Sequence, residues 1–179
     1  MSIYTKTGDN GTTGLFGGTR VTKDSPVIDV LGSIDELNAC IGILLSFPVS
    51  NPDIQNIFTK IQNNLFEIGT IIATPSKYQN ESFNNENILY LETSIDEYEK
   101  SLEPLKNFIL PGGSNLASFT HFTRAVCRRT ERVLVSYKNS QSNKFVNELK
   151  YLNRLSDLLF VTARYINKLE NAPEIIWKS

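Results

Sequence analysis

The first 24 residues contain a segment rich in glycine and threonine whose backbone and side chains could bind phosphate. Residues 5–14 carry three glycines, four threonines and Lys6, without a helical or strand period. Glycines let backbone N–H groups turn toward an anion, hydroxyls add donors, and lysine supplies charge. The segment lacks the ending of a Walker loop and the glycine spacing of a dinucleotide-binding turn. It is therefore either a phosphate-binding loop of another type, or a turn or hairpin with a purely structural role.

A second candidate for phosphate binding is a row of charges in the fourth predicted helix. Arg124, Arg128, Glu131 and Arg132 fall within an arc of about 100° on a helix. Arginines four residues apart cost a helix about 0.2–0.5 kcal/mol per pair, so something should compensate. The row is either a solvated face eased by Glu131 or a guanidinium cluster that binds polyphosphate.

Polar residues also interrupt two otherwise apolar helices. On the last helix Asn153, Asp157, Phe160 and Arg164 share one face. Polar groups on the apolar helices of a bundle usually pair with one another. We expect such a structural role, rather than a role in a site, for Asp157 and Arg164.

Three further polar residues are predicted to belong to a site: Asp35 and Asn38, which are neighbours on the first helix, and Asn153. The single histidine, His121, lies among Phe119, Phe122 and Leu116. We expect it to be a hydrogen-bonded structural residue.

The elements that must position these groups are helices. After residue 26 the apolar residues recur at three- and four-residue steps, which predicts an all-α fold of five helices around one core. The first predicted helix begins at Ser25-Pro26, or later at a Ser33/Glu36 capping box, and runs to about Phe47; the second begins at Asn51-Pro52. The third covers Ile88 to Leu105, with Pro104 as terminator, and the fourth runs from Ser114 to about Tyr137. The fifth ends near Asn171-Ala172-Pro173. Residues 74–85 and 139–143 are predicted loops.

Composition narrows the functional class. The 179 residues include 18 Lys plus Arg and 19 Asp plus Glu, for a net charge of −1, which argues against a general nucleic-acid binder. One His and two Cys cannot build a four-ligand zinc site, so Cys40 and Cys127 are expected to be buried and reduced. No run reaches the roughly 18 apolar residues of a membrane span, and we expect a soluble, cytoplasmic protein.

Six sequence blocks together resemble one enzyme family, the PduO-type ATP:corrinoid adenosyltransferases. In chain order they are Tyr4–Gly14 (YTKTGDNGTTG), Arg20–Asp24 (RVTKD), Asp35–Asn38 (DELN), Phe108–Gly113 (FILPGG), Cys127–Arg132 (CRRTER) and Tyr151–Phe160 (YLNRLSDLLF). The resemblance covers essentially the whole chain as one domain, with residues 1–24 as nucleotide-binding loop, 25–171 as helical bundle and 172–179 as C-terminal tail. The departures are Ser33 and Thr130, where an acidic residue or threonine and an alanine, respectively, are commoner.

The resemblance implies a homotrimer of five-helix bundles with an irregular N-terminal loop. It implies transfer of the 5′-deoxyadenosyl group of ATP to the cobalt of reduced cobalamin, with release of triphosphate. Mg²⁺ is an expected cofactor held mainly by the ATP phosphates, with no protein ligand assigned. An electron donor and an adenosylcobalamin-dependent client enzyme are possible partners.

The resemblance also assigns residues. ATP is expected at a subunit interface, Asp35 and Arg124 pair across subunits, and Phe108 fills the lower face of the corrin in place of its dimethylbenzimidazole ligand. The implied ATP-binding residues are Thr5, Lys6, Thr7, Gly8, Asp9, Asn10, Gly11, Thr12, Thr13, Gly14, Lys23, Arg128, Glu131, Arg132 and Asn153. The implied catalytic residues are Phe108, Asp35, Arg124 and Arg128, and Phe108, Asn38 and Asp35 are the implied corrinoid-binding residues.

Two other functional classes also fit the charged features. A nucleotide-sensing bundle that binds ATP without catalysing a reaction would explain the loop and the arginines, but it leaves Phe108 without a functional role. A purely structural trimeric bundle would use both charged stripes as interface ion pairs.

Overall fold

The computed structural model describes residues 3–49, 51–75, 78, 82–139 and 144–178 of the chain. Five long helices dominate it, and four short strands lie at the two ends of the sequence and beside the fourth helix. The helices are α1 (Pro26–Leu45), α2 (Pro52–Ala73), α3 (Asn85–Glu99), α4 (Asn115–Asn139) and α5 (Val146–Leu169), and the strands are β1 (Thr12–Gly14), β2 (Arg20–Thr22), β3 (Ile109–Leu110) and β4 (Ile175–Ile176). The predicted all-α five-helix fold is confirmed.

The helices pack around one apolar core. Helix α1 lies against α2 and α4, α4 lies against α5, and α5 lies against α3. Two contacts of α2 complete the arrangement: the Lys60 ammonium sits 3.8 Å from the centre of the Tyr90 ring on α3, and the Asn64 amide donates to the buried Tyr151 hydroxyl on α5. Each helix therefore buries its apolar stripe against at least two others.

Most helix starts follow the sequence signals. The Asn51 side chain accepts a hydrogen bond from the Asp53 backbone N–H at 2.9 Å, and the Ser114 hydroxyl accepts one from the Ala117 backbone N–H at 3.3 Å. Helix α1 begins at Pro26 rather than near Ser33, although Ser25 makes no side-chain cap bond. Side-chain caps satisfy N–H groups that have no partner within the helix.

Helix α3 ends earlier than its apolar period predicts. It stops at Glu99, so Leu102 and Leu105 lie beyond it and Pro104 is not its terminator. The Ser101 hydroxyl donates to the Tyr98 carbonyl at 2.9 Å, and the Lys168 ammonium of α5 donates to the Ser101 carbonyl. These contacts satisfy polar groups of a turn at the place where the helix would otherwise continue.

The N-terminal segment forms a hairpin, one of the alternatives that its sequence left open, and is therefore more regular than the irregular loop that the resemblance implied. Strand β1 pairs antiparallel with β2, and Thr13 lies opposite Val21. At the other end of the chain β4 pairs antiparallel with β3, although residues 172–179 were predicted to be only a tail.

Cys40 and Cys127 are both buried and unbridged, as expected. Of the two predicted loops, most of residues 76–81 and residues 140–143 lie outside the described part. Among the helices of the described residues, none is both long and apolar enough to cross a membrane.

Candidate functional site

Phe108 lines two large cavities of the structure. Its side chain is 78% exposed, although it directly precedes strand β3. A cavity of about 700 Å³ lies on one side of it, lined also by Lys106, His121, Arg124 and Trp177. A pocket of this size can hold a large organic ligand.

A second cavity of about 690 Å³ shares Phe108, Arg124 and Phe160 with the first. Its other walls come from α3 and α5 and include Glu92, Asp96, Glu99, Arg154 and Asp157. The Arg124 guanidinium carbon lies 5.2 Å from the centre of the Phe160 ring, within range of a cation–π contact. Phe108 and this Arg124–Phe160 pair therefore border both cavities, and the carboxylates named above line the second one.

The Phe108 backbone is held by the C-terminal strand. The Trp177 N–H donates to the Phe108 carbonyl at 2.8 Å, directly after the β3–β4 pairs. The two aromatic rings meet edge to face, with their centres 6.4 Å apart. Main-chain pairing thus places this side chain at the cavity mouth without burying it.

The prediction for His121 is wrong in one respect. The ring is buried beside Phe160, but within the described residues neither of its nitrogens has a hydrogen-bond partner. Burial, with a further contribution from the Arg124 guanidinium, lowers the pKa of His121. The imidazole is therefore neutral at pH 7 and forms part of the cavity wall.

Asp157 and Arg164 are both paired with polar groups, as predicted, although not with each other. Asp157 receives a hydrogen bond from Arg154 at 3.3 Å, and Arg154 binds Glu92 on α3 at 2.9 Å. Arg164 instead binds Glu174 at 2.8 Å. Asp157 thus pairs within α5, whereas the buried Arg164 pairs with a residue beyond the end of that helix.

The row of charges on α4 splits into two environments. The Glu131 carboxylate accepts a hydrogen bond from the Asn153 amide of α5 at 3.1 Å, so these two predicted site residues are brought together. Arg128 and Arg132 are exposed, and across the described ranges neither guanidinium has a hydrogen-bond or ion-pair partner. Their charges are therefore available to a ligand or to another chain.

The hairpin orders the glycine-rich segment and brings Lys23 to it. The Arg20 guanidinium donates to the Thr7 carbonyl and the Thr12 hydroxyl, each at 2.6 Å. A Cβ placed on Gly8 would lie 3.3 Å from the Lys23 ammonium nitrogen. One exposed surface thus combines backbone, hydroxyl and ammonium groups.

Asp35 and Asn38 lie in a different place, a groove of about 240 Å³ between α1 and α2. The Asn38 side-chain amide donates to the Gln62 backbone carbonyl at 3.4 Å. The side-chain oxygen of Asn38, Oδ1, is buried and lacks a partner among the described residues. Asp35 is exposed at the groove. A single chain does not join these residues to Phe108, and in the described part no hydrogen bond or ion pair links the hairpin to Arg128 or Arg132.

Comparison with known proteins identifies the family. A family model described as cobalamin adenosyltransferase matches residues 3–166. The chain belongs to the cobalamin adenosyltransferase family. As a member of this family it is an enzyme, a transferase.

Relatives of this family from bacteria and animals align along most of the chain. The corrinoid adenosyltransferase of Bacillus subtilis (strain 168) is 42% identical over 172 residues, which cover 93% of this chain and 87% of that protein. The corrinoid adenosyltransferase MMAB of Homo sapiens is 41% identical over 182 residues, covering 98% of this chain and 72% of that protein.

Solved structures of a PduO-type ATP:corrinoid adenosyltransferase have the same fold. A variant of the Lactobacillus reuteri enzyme complexed with cobalamin and ATP has a TM-score of 0.93 at 36% identity, covering 99% of this chain and 97% of that one. Another variant of that enzyme, complexed with ATP, has a TM-score of 0.92 at 36% identity over 98% and 100% of the two chains. The resemblance seen in the sequence motifs is confirmed.

Sequence reasoning missed several residues around Phe108 in this adenosyltransferase. Trp177, Glu174 and Asn167 hold or border the segment that carries Phe108, yet none was predicted to belong to a site. The one available signal was the run Ile175-Ile176-Trp177 after a proline, which is typical of a short strand. Its partner strand could not be deduced, because β3 and β4 lie more than sixty residues apart.

Proposed function

We propose that this chain transfers the 5′-deoxyadenosyl group of ATP to the cobalt of cob(I)alamin and releases triphosphate. In the reaction the cobalt(I) electron pair attacks the ribose 5′ carbon, a cobalt–carbon bond forms, and the carbon–oxygen bond to triphosphate breaks. The leaving triphosphate keeps the electron pair of that bond. Because cobalt itself is the nucleophile, the reaction needs no serine, cysteine or histidine nucleophile.

The observation that carries the proposal is the exposed Phe108 between two large cavities. Burying a phenylalanine side chain gains about 1.5–3 kcal/mol, so holding it in solvent sacrifices stability. A flat apolar ligand placed over this ring would recover that burial. The corrin macrocycle, which the solved relative binds together with ATP, is such a ligand.

The proposed role of Phe108 is to occupy the lower face of the corrin. Dimethylbenzimidazole donates a nitrogen lone pair to cobalt from that face and stabilises the higher oxidation state. A phenyl ring offers bulk without a ligating atom, so displacement of the base by Phe108 makes cobalt(II) easier to reduce. His121, which is part of the wall of the first cavity, is neutral at pH 7 and adds no positive charge there.

The proposed ATP site is shared between two copies of the chain. In one copy the glycine-rich segment and Lys23 form a polar surface, and elsewhere Arg128 and Arg132 offer guanidinium groups that have no partner among the described residues. Arginine forks match phosphate oxygens, and a neighbouring copy could bring the two surfaces together. We propose a homotrimer, in which Asp35 and Arg124 pair across the interface.

A magnesium ion in this site would be held mainly by the ATP phosphates. Among the described residues there is no cluster of three or more His, Cys, Asp or Glu that could hold a metal ion. Mg²⁺ prefers phosphate oxygens and water, which suits a site without such a cluster. When bound it would neutralise charge on the leaving triphosphate.

The proposal is tested by mixing the protein with Mg-ATP and chemically reduced cobalamin and following the corrin spectrum. We expect a light-sensitive cobalt–carbon product. ATP binding without that product would indicate a nucleotide sensor instead. Absence of both would indicate a structural bundle.

The homotrimer has its own test in sedimentation equilibrium. We expect a mass three times the chain mass of 20.2 kDa. A monomer at concentrations that support turnover would contradict an ATP site shared between subunits.

A further inference from the structure

The segment that carries Phe108 is tied to α5 on its N-terminal side by a buried arginine. Arg164 is 6% exposed, and its Nε donates to Glu174 Oε1 at 2.8 Å. Its Nη2 donates to the Glu103 carbonyl at 2.9 Å and to Glu174 Oε2 at 3.3 Å. One side chain thus joins α5, the residues before Phe108, and the residue before β4.

A second buried side chain ties the same segment on its C-terminal side. Asn167 is 2% exposed; its amide donates to the Gly112 carbonyl at 2.9 Å and its carbonyl oxygen accepts from the Ser114 N–H at 3.0 Å. Gly113, between these two, has a φ of +112°, and an added Cβ would lie 2.1 Å from the Asn167 oxygen. The turn and the asparagine therefore fit each other closely.

The two anchors act on one stretch of backbone. Arg164 and Asn167 are three residues apart and so lie on the same face of α5. Between their attachment points, β4 pairs with β3, and the Trp177 N–H binds the Phe108 carbonyl. Phe108 therefore has an exposed side chain on a backbone held at both ends and at its own carbonyl.

We propose that Arg164 and Asn167 are positioning residues that set the height of Phe108 at the cavity mouth. This inference rests on the proposed role of Phe108 in displacing the lower ligand of cobalt. A buried charge is costly unless it is paired, so removal of one partner should disturb the backbone that the pair holds. Displacement of the base needs the ring at one distance from the corrin, and small misplacements cost large factors in rate.

The test compares two corrinoids in the variants Glu174→Gln and Asn167→Asp. Glu174→Gln removes the charge that pairs with Arg164, and Asn167→Asp keeps the acceptor for Ser114 but loses the donor to Gly112. Cobalamin carries the base that Phe108 must displace, whereas cobinamide lacks it. We expect kcat with cobalamin to fall about tenfold or more and kcat with cobinamide to change less than about twofold. The KM for ATP should stay within about twofold.

Glu97→Gln is the matched control for the charge removal. It breaks an ion pair of similar length, 2.9 Å to Lys100, on the exposed side of α3. Its kcat should equal that of the parent with both corrinoids. Equal losses with cobalamin and cobinamide in the anchor variants would indicate a merely structural role and overturn the proposal.

Two further measurements keep the inference separate from the proposed function. In the double variant Phe108→Ala/Glu174→Gln, kcat with cobalamin should equal that of Phe108→Ala alone, because both substitutions impair the same displacement of the lower cobalt ligand by the Phe108 ring. Additive losses would overturn the positioning role. Circular dichroism melting confirms that each variant is folded, and emission of Trp177, the sole tryptophan, should change in Glu174→Gln but not in Glu97→Gln. Unchanged emission would overturn the anchor itself, whereas Phe108→Ala with full cobalamin activity would overturn the proposed function.

Discussion

Phe108 shows how a single residue can be costly to the fold and useful to the site. Its ring is exposed because its backbone is fastened by β4, not because the surrounding surface is polar. Arg124 and Phe160 beneath it belong to both adjoining cavities. Functional roles at this scale depend on what a side chain touches, and the substitutions below separate corrinoid chemistry from ATP binding.

Phe108→Ala should lower turnover with cobalamin on the order of 100-fold, while the Kd for ATP changes less than about twofold. The reason is that the proposed role of the phenyl ring is at the lower face of the corrin, with no proposed contact to the nucleotide. Turnover is measured from the corrin spectrum and affinity by calorimetry. Comparable losses in both quantities would contradict the assigned role.

Arg128→Ala should abolish measurable ATP binding and leave the fold intact. Hydrogen bonds from a charged group contribute about 1.5–3 kcal/mol each, and a guanidinium can make two to a polyphosphate. Arg129→Ala is the control, because the neighbouring Arg129 is already paired with Glu36 of α1. Calorimetry with Mg-ATP should show binding in the control only; intact affinity in Arg128→Ala would reject the cluster as an ATP site.

At the scale of elements, the connection from β3 to α4 positions both Phe108 and the start of the arginine-bearing helix. Its turn depends on Gly113 and Asn167, and its helix start depends on the Ser114 hydroxyl. The same connection is pinned by a strand from the far end of the chain. A short loop here therefore behaves as a rigid part of the site.

Gly113→Ala should destabilise the protein by about 1–3 kcal/mol from the backbone conformation alone, and by more from the collision with Asn167. Gly112→Ala is the matched control, because a Cβ there would meet nothing within 4 Å. Urea unfolding of both variants measures the difference. Equal stability of the two would show that the turn is not constrained as described.

At the scale of the whole molecule, charge is separated between helices although the total is close to zero. Residues 81–104 carry seven acids and one lysine, whereas residues 113–138 carry five lysines or arginines and one acid. The acidic α3 borders one cavity beside Phe108, and α4 supplies the free guanidinium groups. A near-neutral sum therefore leaves room for a local polyphosphate site.

Glu148 gives the fold a pH dependence. It is buried, and desolvation raises the pKa of its carboxyl above the ordinary value of 4.5. Between the ordinary and the raised pKa the folded state binds a proton that the unfolded state has lost, so stability falls as pH rises through that window. Glu148→Gln should therefore raise Tm more at pH 7.5 than at pH 4.5. An equal shift at both pH values would contradict this.

Local signals account for the parts of the fold that were predicted correctly. Asn51-Pro52 and Ser114 mark helix starts because they satisfy N–H groups within their own turn, and the apolar steps of α2 follow from its burial. The apolar period of α3 predicted a helix that continues beyond Glu99, which is wrong because Lys168, distant in sequence, binds the Ser101 carbonyl. His121 failed because its ring is enclosed by Phe160 and Arg124 without a hydrogen-bond partner among the described residues.

The sequence by itself determined the helical class, the glycine-rich and arginine motifs, and the family they resemble, because each depends on residue types at short spacings. Only the tertiary structure decided the contact of Arg164 with Glu103, the pairing of β3 with β4, and the exposure of Phe108. Those depend on which distant segments meet, and many different pairings satisfy the same local pattern. Residue types at short spacings therefore identify the site, and long-range packing determines its geometry.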